Sequence, residues 1–167
     1  MSFDLATFTL THVVISLVGL GSGFVVMYGL LAAKRLDLWT ALFLITTVLT
    51  SVTGFLFPAD HFTPGHAIGI LSLIVLTLAI LGRYAFRLAG AWRAIYVISA
   101  VVALYFNVFV LIVQTFMKVS AFKELAPTQT EPPFVAAQAI TLALFVAIGI
   151  IATIRFRGEP ARQTAVV

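Results

Sequence analysis

The sequence predicts an all-α, polytopic membrane protein: a bundle of five transmembrane helices with the N-terminus outside and the C-terminus in the cytoplasm. Hydrophobic residues make up 62% of the 167-residue chain, charged residues make up 10%, and the mean hydropathy is +1.14. A soluble domain of this size needs more polar surface than that, whereas lipid is itself an apolar solvent. Five apolar stretches of about 20 residues or more, each long enough to cross a bilayer core, therefore predict five spans.

Charge, proline and glycine delimit the five predicted helices in turn. They cover residues 8–33, 38–57, 64–88, 92–116 and 134–154. The connections at residues 34–37 and 89–91 are short, so that each joins two antiparallel neighbours. Thr63 followed by Pro64 is typical of a helix start. The longest connection, 120–133, contains three prolines among polar residues, which predicts irregular structure. We expect residues 1–157 to form one transmembrane domain and 158–167 a short cytoplasmic tail.

Eight of the ten Lys and Arg residues are predicted to lie at one end of these helices. They form three clusters: Lys34 and Arg35; Arg83, Arg87 and Arg93; Arg155, Arg157 and Arg162. The positive-inside rule places this end in the cytoplasm of a multi-pass protein of the inner (cytoplasmic) membrane. Topology alone explains the formal net charge of +4, so we do not expect nucleic acid as a partner. The expected partners are the lipid bilayer and a membrane protein complex or a homo-oligomer.

All three histidines are predicted at the opposite end. His12 lies near the start of the first helix, His61 in a connection and His66 in the first turn of the third helix. Gly19 and Gly23 form a GxxxG pair, a pattern by which transmembrane helices approach closely. Because His12 shares their helical face, we expect it to point into the bundle.

A b-type haem is the first interpretation of these residues. His12 and His66 are predicted at similar depth on parallel helices, so that two imidazoles could bind one iron from opposite sides. The small residues Ser16, Gly19 and Gly69 nearby would leave room for a porphyrin. The predicted function is then a small haem protein with its site on the outer side, active in electron transfer.

A divalent transition metal is the second interpretation, with His61, His66, Asp60 and Glu131 as alternative ligands. Imidazole and carboxylate together suit zinc, copper or iron. The five-residue separation of the two histidines does not match a helical His pair. The chain contains no cysteine, which excludes thiolate ligands. The sequence assigns no catalytic residue and leaves open whether the protein is an enzyme.

Polar residues within the predicted helices leave two further interpretations open. Asn107, Gln114 and Gln138 are expected to face the interior, because an amide is costly against lipid. They could line the path of a small transporter, although no acidic residue lies in the middle of a predicted span. Alternatively they could be interhelical hydrogen-bonding groups of a non-catalytic accessory or scaffold subunit.

Overall fold

The computed structural model describes residues 4–59 and 61–157, which contain helices and no strand. Five helices are long and apolar enough to span a membrane, and this confirms the predicted fold class. The helices are α1 (Leu5–Leu31), α2 (Asp37–Gly54), α3 (Pro64–Ile80), α4 (Ala91–Lys118), a short α5 (Ser120–Leu125) and α6 (Pro132–Arg155). A π-helical turn, Leu81–Ala85, extends α3.

Local sequence explains where these helices begin. The Asp4 side chain accepts a hydrogen bond from the backbone of Ala6 and caps α1. Thr63 caps α3, and Pro64 occupies its first turn as predicted. The prediction of irregular structure across 120–133 is wrong for Ser120–Leu125, which forms α5. All the prolines of this connection come after α5, so that they restrict only its second half.

Helix α4 is central to the bundle. It packs against α1, α3 and α6, while α2 packs against α1 and α3. The buried core includes Phe43, Leu76, Tyr96 and Leu104. Helix α6 packs against α4 and α1, and within the described part of the chain just 6% of its most apolar stretch is buried. The bundle is therefore well packed around α4, and α6 lies at its edge.

The GxxxG pair of α1 serves packing within the chain. Gly19 and Gly23 are both buried. A Cβ added at Gly23 would lie 2.5 Å from Leu104 Cδ1 and 2.9 Å from Phe43 Cε2. Real Cβ atoms do not approach other atoms so closely, so only glycine lets α1 come this near to α2 and α4. A GxxxG pair can pack within one chain or between two copies, and these contacts place this one inside the bundle.

The two ends of the bundle differ chemically. At the arginine end, Arg83 contacts Asp37, and Arg93 contacts the end of α6. At the histidine end, His12 contacts the end of α2, and His66 begins α3. The cytoplasmic location of the arginine end stays a prediction of the positive-inside rule. Asp60 and the predicted tail 158–167 lie outside the described residues.

Candidate functional site

His12 lies half-buried between α1 and α2. Its Nδ1 lies 2.7 Å from the Thr53 hydroxyl, and its ring meets the Phe57 ring edge-on at 5.0 Å. The Thr53 hydroxyl donates its own hydrogen to the Leu49 carbonyl at 2.7 Å. While the Thr53 hydroxyl keeps this bond to Leu49, Nδ1–H of His12 is the donor and Nε2 carries a lone pair in the neutral ring. His12 points into the bundle, as predicted.

His66 has the opposite tautomer. Its Nδ1 lies 3.0 Å from the backbone N–H of Thr63, within the capping box that starts α3. A backbone N–H can only donate, so Nδ1 is the acceptor and Nε2 carries the proton in the neutral ring. The rings of Phe55 and Phe62 stack against the imidazole, each at 5.6 Å between centroids. His66 thus caps a helix and packs between two aromatic rings.

These contacts argue against a haem held by both histidines. A ligating imidazole bonds the metal through one nitrogen and usually donates a hydrogen bond from the other. His12 meets this condition, whereas His66 would have to give up its capping hydrogen bond. Neither glycine leaves space for a porphyrin: a Cβ at Gly19 would lie 3.1 Å from the Thr46 hydroxyl, and one at Gly69 would lie 2.9 Å from the Phe55 ring. Neighbouring helices already fill both positions.

The residues predicted as alternative metal ligands are not brought together within the described part of the chain. His61 is exposed, and Asp60 lies outside the described residues. Residues 4–59 and 61–157 contain no group of three or more His, Cys, Asp or Glu side chains that could hold a metal ion. Glu131 bonds within its own loop, where Oε1 accepts from the Thr128 hydroxyl at 2.8 Å and Oε2 accepts from the Thr130 N–H at 3.0 Å.

The loop contacts of Glu131 also set its acidity. Desolvation acts to raise the pKa of the carboxyl, but the hydrogen bonds from Thr128 and Thr130 outweigh it and lower the pKa below its ordinary value. The carboxylate is therefore the form that holds residues 128–131 in their turn. The carboxylate of Glu131 thus bonds within the turn that leads into α6.

Two of the three amides expected to face the interior bond a neighbouring helix. Asn107 donates to the Thr47 hydroxyl of α2 at 3.2 Å, and Gln138 donates to the Phe109 carbonyl of α4 at 3.3 Å. Gln114 differs from the expectation, because its side chain is exposed. It lies one turn before the end of α4, at a depth where an amide can meet lipid headgroups or water. The amides therefore act as contacts between helices and do not form one continuous polar stripe.

A charged cluster at the arginine end was not predicted from the sequence. Arg83 is only 4% exposed, pairs with Asp37 at the start of α2, and lies with its guanidinium 5.2 Å from the centre of the Tyr96 ring. We interpreted Arg83 only as part of a basic cluster that sets orientation. The available signal was its position four residues before Arg87, still inside the apolar run, where a charge is expensive unless it is paired.

Arg93 makes a second contact that the sequence did not reveal. Its guanidinium donates to the backbone carbonyls of Thr153 and Phe156. The last carbonyls of a helix have no partner within the helix, and a nearby cation satisfies them. Arg93 therefore fastens the end of α6 to the start of α4.

The polar groups described above thus join α1 to α2, α2 to α3 and α4, and α4 to α6. Most of them are taken up by contacts within the chain. Among the described residues, the acceptors without a hydrogen-bond partner include Nε2 of His12 and the buried Oε1 of Gln138. Comparison with known proteins gave no matching family model, no significant match among curated proteins and none among solved structures.

Proposed function

We propose that this chain is a non-catalytic accessory or scaffold subunit of a membrane assembly. The observation that carries the proposal is the use of intramembrane polar side chains as contacts between helices. His12 bonds α2, Asn107 bonds α2, and Gln138 bonds α4. Such bonds contribute on average about 0.6 kcal/mol each and hold helices in register. Side chains committed in this way are poorly placed to bind a substrate or line a transport path.

Helix α6 offers the surface for assembly. Ala139, Ala143 and Ala147 recur every four residues on α6 and are all exposed. A row of small residues lets two transmembrane helices approach closely, with packing as the driving force. The other side of α6 already packs on α4 and α1. This row therefore supports contact with a second transmembrane chain.

Replacement of one alanine by phenylalanine tests the assembly role. In membranes extracted with a mild detergent, the wild-type chain should migrate in native electrophoresis as part of a larger complex. Ala143→Phe should shift it to the size of the lone chain, because the ring blocks close approach. The matched control, Leu144→Phe, changes an exposed neighbour outside the row and should leave the complex intact. A wild-type chain that migrates alone, or equal behaviour of the two variants, would refute the proposal.

A metal or haem site that uses His12 alone is the second candidate function, favoured by the free lone pair on Nε2. Absorption spectra of oxidised and dithionite-reduced protein, with elemental analysis of the same sample, separate the two candidates. A Soret band or a stoichiometric metal that disappears in His12→Ala and persists in His61→Ala would establish this second function. A subunit without a cofactor should give neither signal in any of the three proteins.

A further inference from the structure

An apolar groove of about 420 Å³ runs between α4 and α6 on the outside of the bundle. Aliphatic side chains form its walls, among them Ile98 and Val102 of α4 and Val146 and Ile150 of α6. Gly149 lies in its lining, and a Cβ there would fit at an ordinary contact distance of 3.6 Å from Val101 Cγ1, so the space beside this glycine is unfilled. The groove therefore has room for a flexible hydrocarbon.

The groove has the depth of one leaflet. Its lining on α6 extends from Leu142 to Ile154. Twelve helical steps correspond to about 18 Å. Half of a hydrocarbon core is about 15 Å thick, so the groove reaches from the arginine end to the middle of the bilayer. This length and direction match one acyl chain that descends from its headgroup.

Positive charge lies where that headgroup would be. Arg155 follows the last lining residue of α6, Ile154, Arg157 lies two residues further along the chain, and both are exposed. Neither forms an ion pair with any residue of the described ranges. Arg93, by contrast, is engaged by the carbonyls at the end of α6. Two exposed guanidinium groups thus lie at the arginine end of α6, at the level where the groove ends.

We propose that the α4/α6 groove binds an anionic glycerophospholipid, with one acyl chain along the groove and the headgroup beside Arg155 and Arg157. An acyl chain gains little hydrophobic free energy by moving from bulk lipid into the groove, since both surroundings are apolar. The groove therefore holds the chain by packing, and charge selects the headgroup. This inference is independent of the proposed subunit role, because it uses neither the alanine row nor a protein partner.

Lipid titration followed by native mass spectrometry tests the proposal on the purified full-length chain. Dioleoylphosphatidylglycerol is the anionic probe, and dioleoylphosphatidylcholine, with the same acyl chains, is the zwitterionic control. The wild-type chain should retain the anionic lipid more tightly. Arg155→Gln and Arg157→Gln should each weaken that binding about fivefold and leave the zwitterionic lipid unaffected.

A second pair of variants tests the groove itself. Gly149→Leu should fill it and reduce the first bound lipid of either kind. Gly21→Leu makes the same change at an exposed glycine of α1, which lies outside the lining and would have nothing within 4 Å of its Cβ, and this variant should bind like the wild type. Equal affinity of the wild type for the two lipids would mean unselective lipid contact and would overturn the proposal. It would also be overturned if Gly149→Leu kept its lipid. The same holds if that variant kept its lipid and lost contact with a second copy of the chain, since the groove would then bind protein. If Gly149→Leu does not fold, the lipid affinities of Arg155→Gln and Arg157→Gln test the proposal.

Discussion

Gly23→Ala is a direct test of how closely α1 packs in this bundle. The added Cβ would lie 2.5 Å from Leu104 Cδ1, with the Phe43 ring 2.9 Å away on the other side. Leu104 can rotate at its tip, but both side chains are almost fully buried and have little space to move into. Overpacking of this kind costs about 1–3 kcal/mol. Alanine also favours a helix over glycine by up to about 1 kcal/mol, which works against that cost.

Gly21→Ala isolates the packing contribution. Gly21 lies on the same helix, is exposed, and would have nothing within 4 Å of its added Cβ. The gain in helix propensity is common to both variants and cancels in their difference. We therefore expect Gly23→Ala to be less stable than Gly21→Ala by about 1–3 kcal/mol in reversible unfolding with sodium dodecyl sulfate in mixed micelles. Equal stability would refute the close approach of α1 to α4. Trimming the partner in Gly23→Ala/Leu104→Ala should relieve the clash, so that the double variant loses less than the sum of the single ones.

Three further predictions concern polar contacts. Asn107→Leu should lower the free energy of unfolding by about 0.6 kcal/mol, and by at most about 1.7 kcal/mol, in the same titration. An unchanged free energy would mean that the hydrogen bond to α2 does not stabilise the fold. Asp37→Asn should cost less than Arg83→Ala, because an Asn at the 80% exposed position can still accept a hydrogen bond from Arg83, whereas alanine empties a buried site; the reverse order would contradict this arrangement. The hydrogen bonds that lower the pKa of Glu131 should stabilise its loop fully above pH 4.5, the ordinary pKa of the carboxyl, and should lose that effect as the pH falls through the lower pKa of the folded state. The amide NMR shift of Thr128 reports this titration, and a midpoint at or above pH 4.5 would contradict the prediction.

Much of the fold could be predicted from the sequence because the bilayer imposes simple rules. A span must be apolar and about 20 residues long, which located the five helices to within three residues. Differences of three residues occur at the start of the first helix and at the ends near Phe57 and Leu88. Glycine spacing predicted the packing face of α1, since close approach depends on the absence of a side chain. The helix α5 was missed because three prolines in the second half of its connection dominated the interpretation.

The candidate site could be predicted only in part. The placement of His12 toward the bundle followed from its spacing to Gly19 and Gly23, but its hydrogen bond to Thr53 requires the position of α2. For His66, the sequence contained both members of the capping box, and yet the histidine was interpreted as a ligand. A histidine three residues after a threonine N-cap can accept a capping hydrogen bond from the backbone, and this local role is an alternative to metal ligation.

The sequence by itself determined that this is a five-span membrane protein with eight of its ten basic residues at one end, because hydropathy and charge act along the chain and need no knowledge of neighbours. Only the tertiary structure decided what the polar side chains do. The partner of each depends on how far every helix is rotated and shifted against the next, and a displacement of a few ångströms changes which hydrogen bond forms. That geometry places Arg83 beside Asp37, gives His12 and His66 opposite tautomers, and opens the groove between α4 and α6.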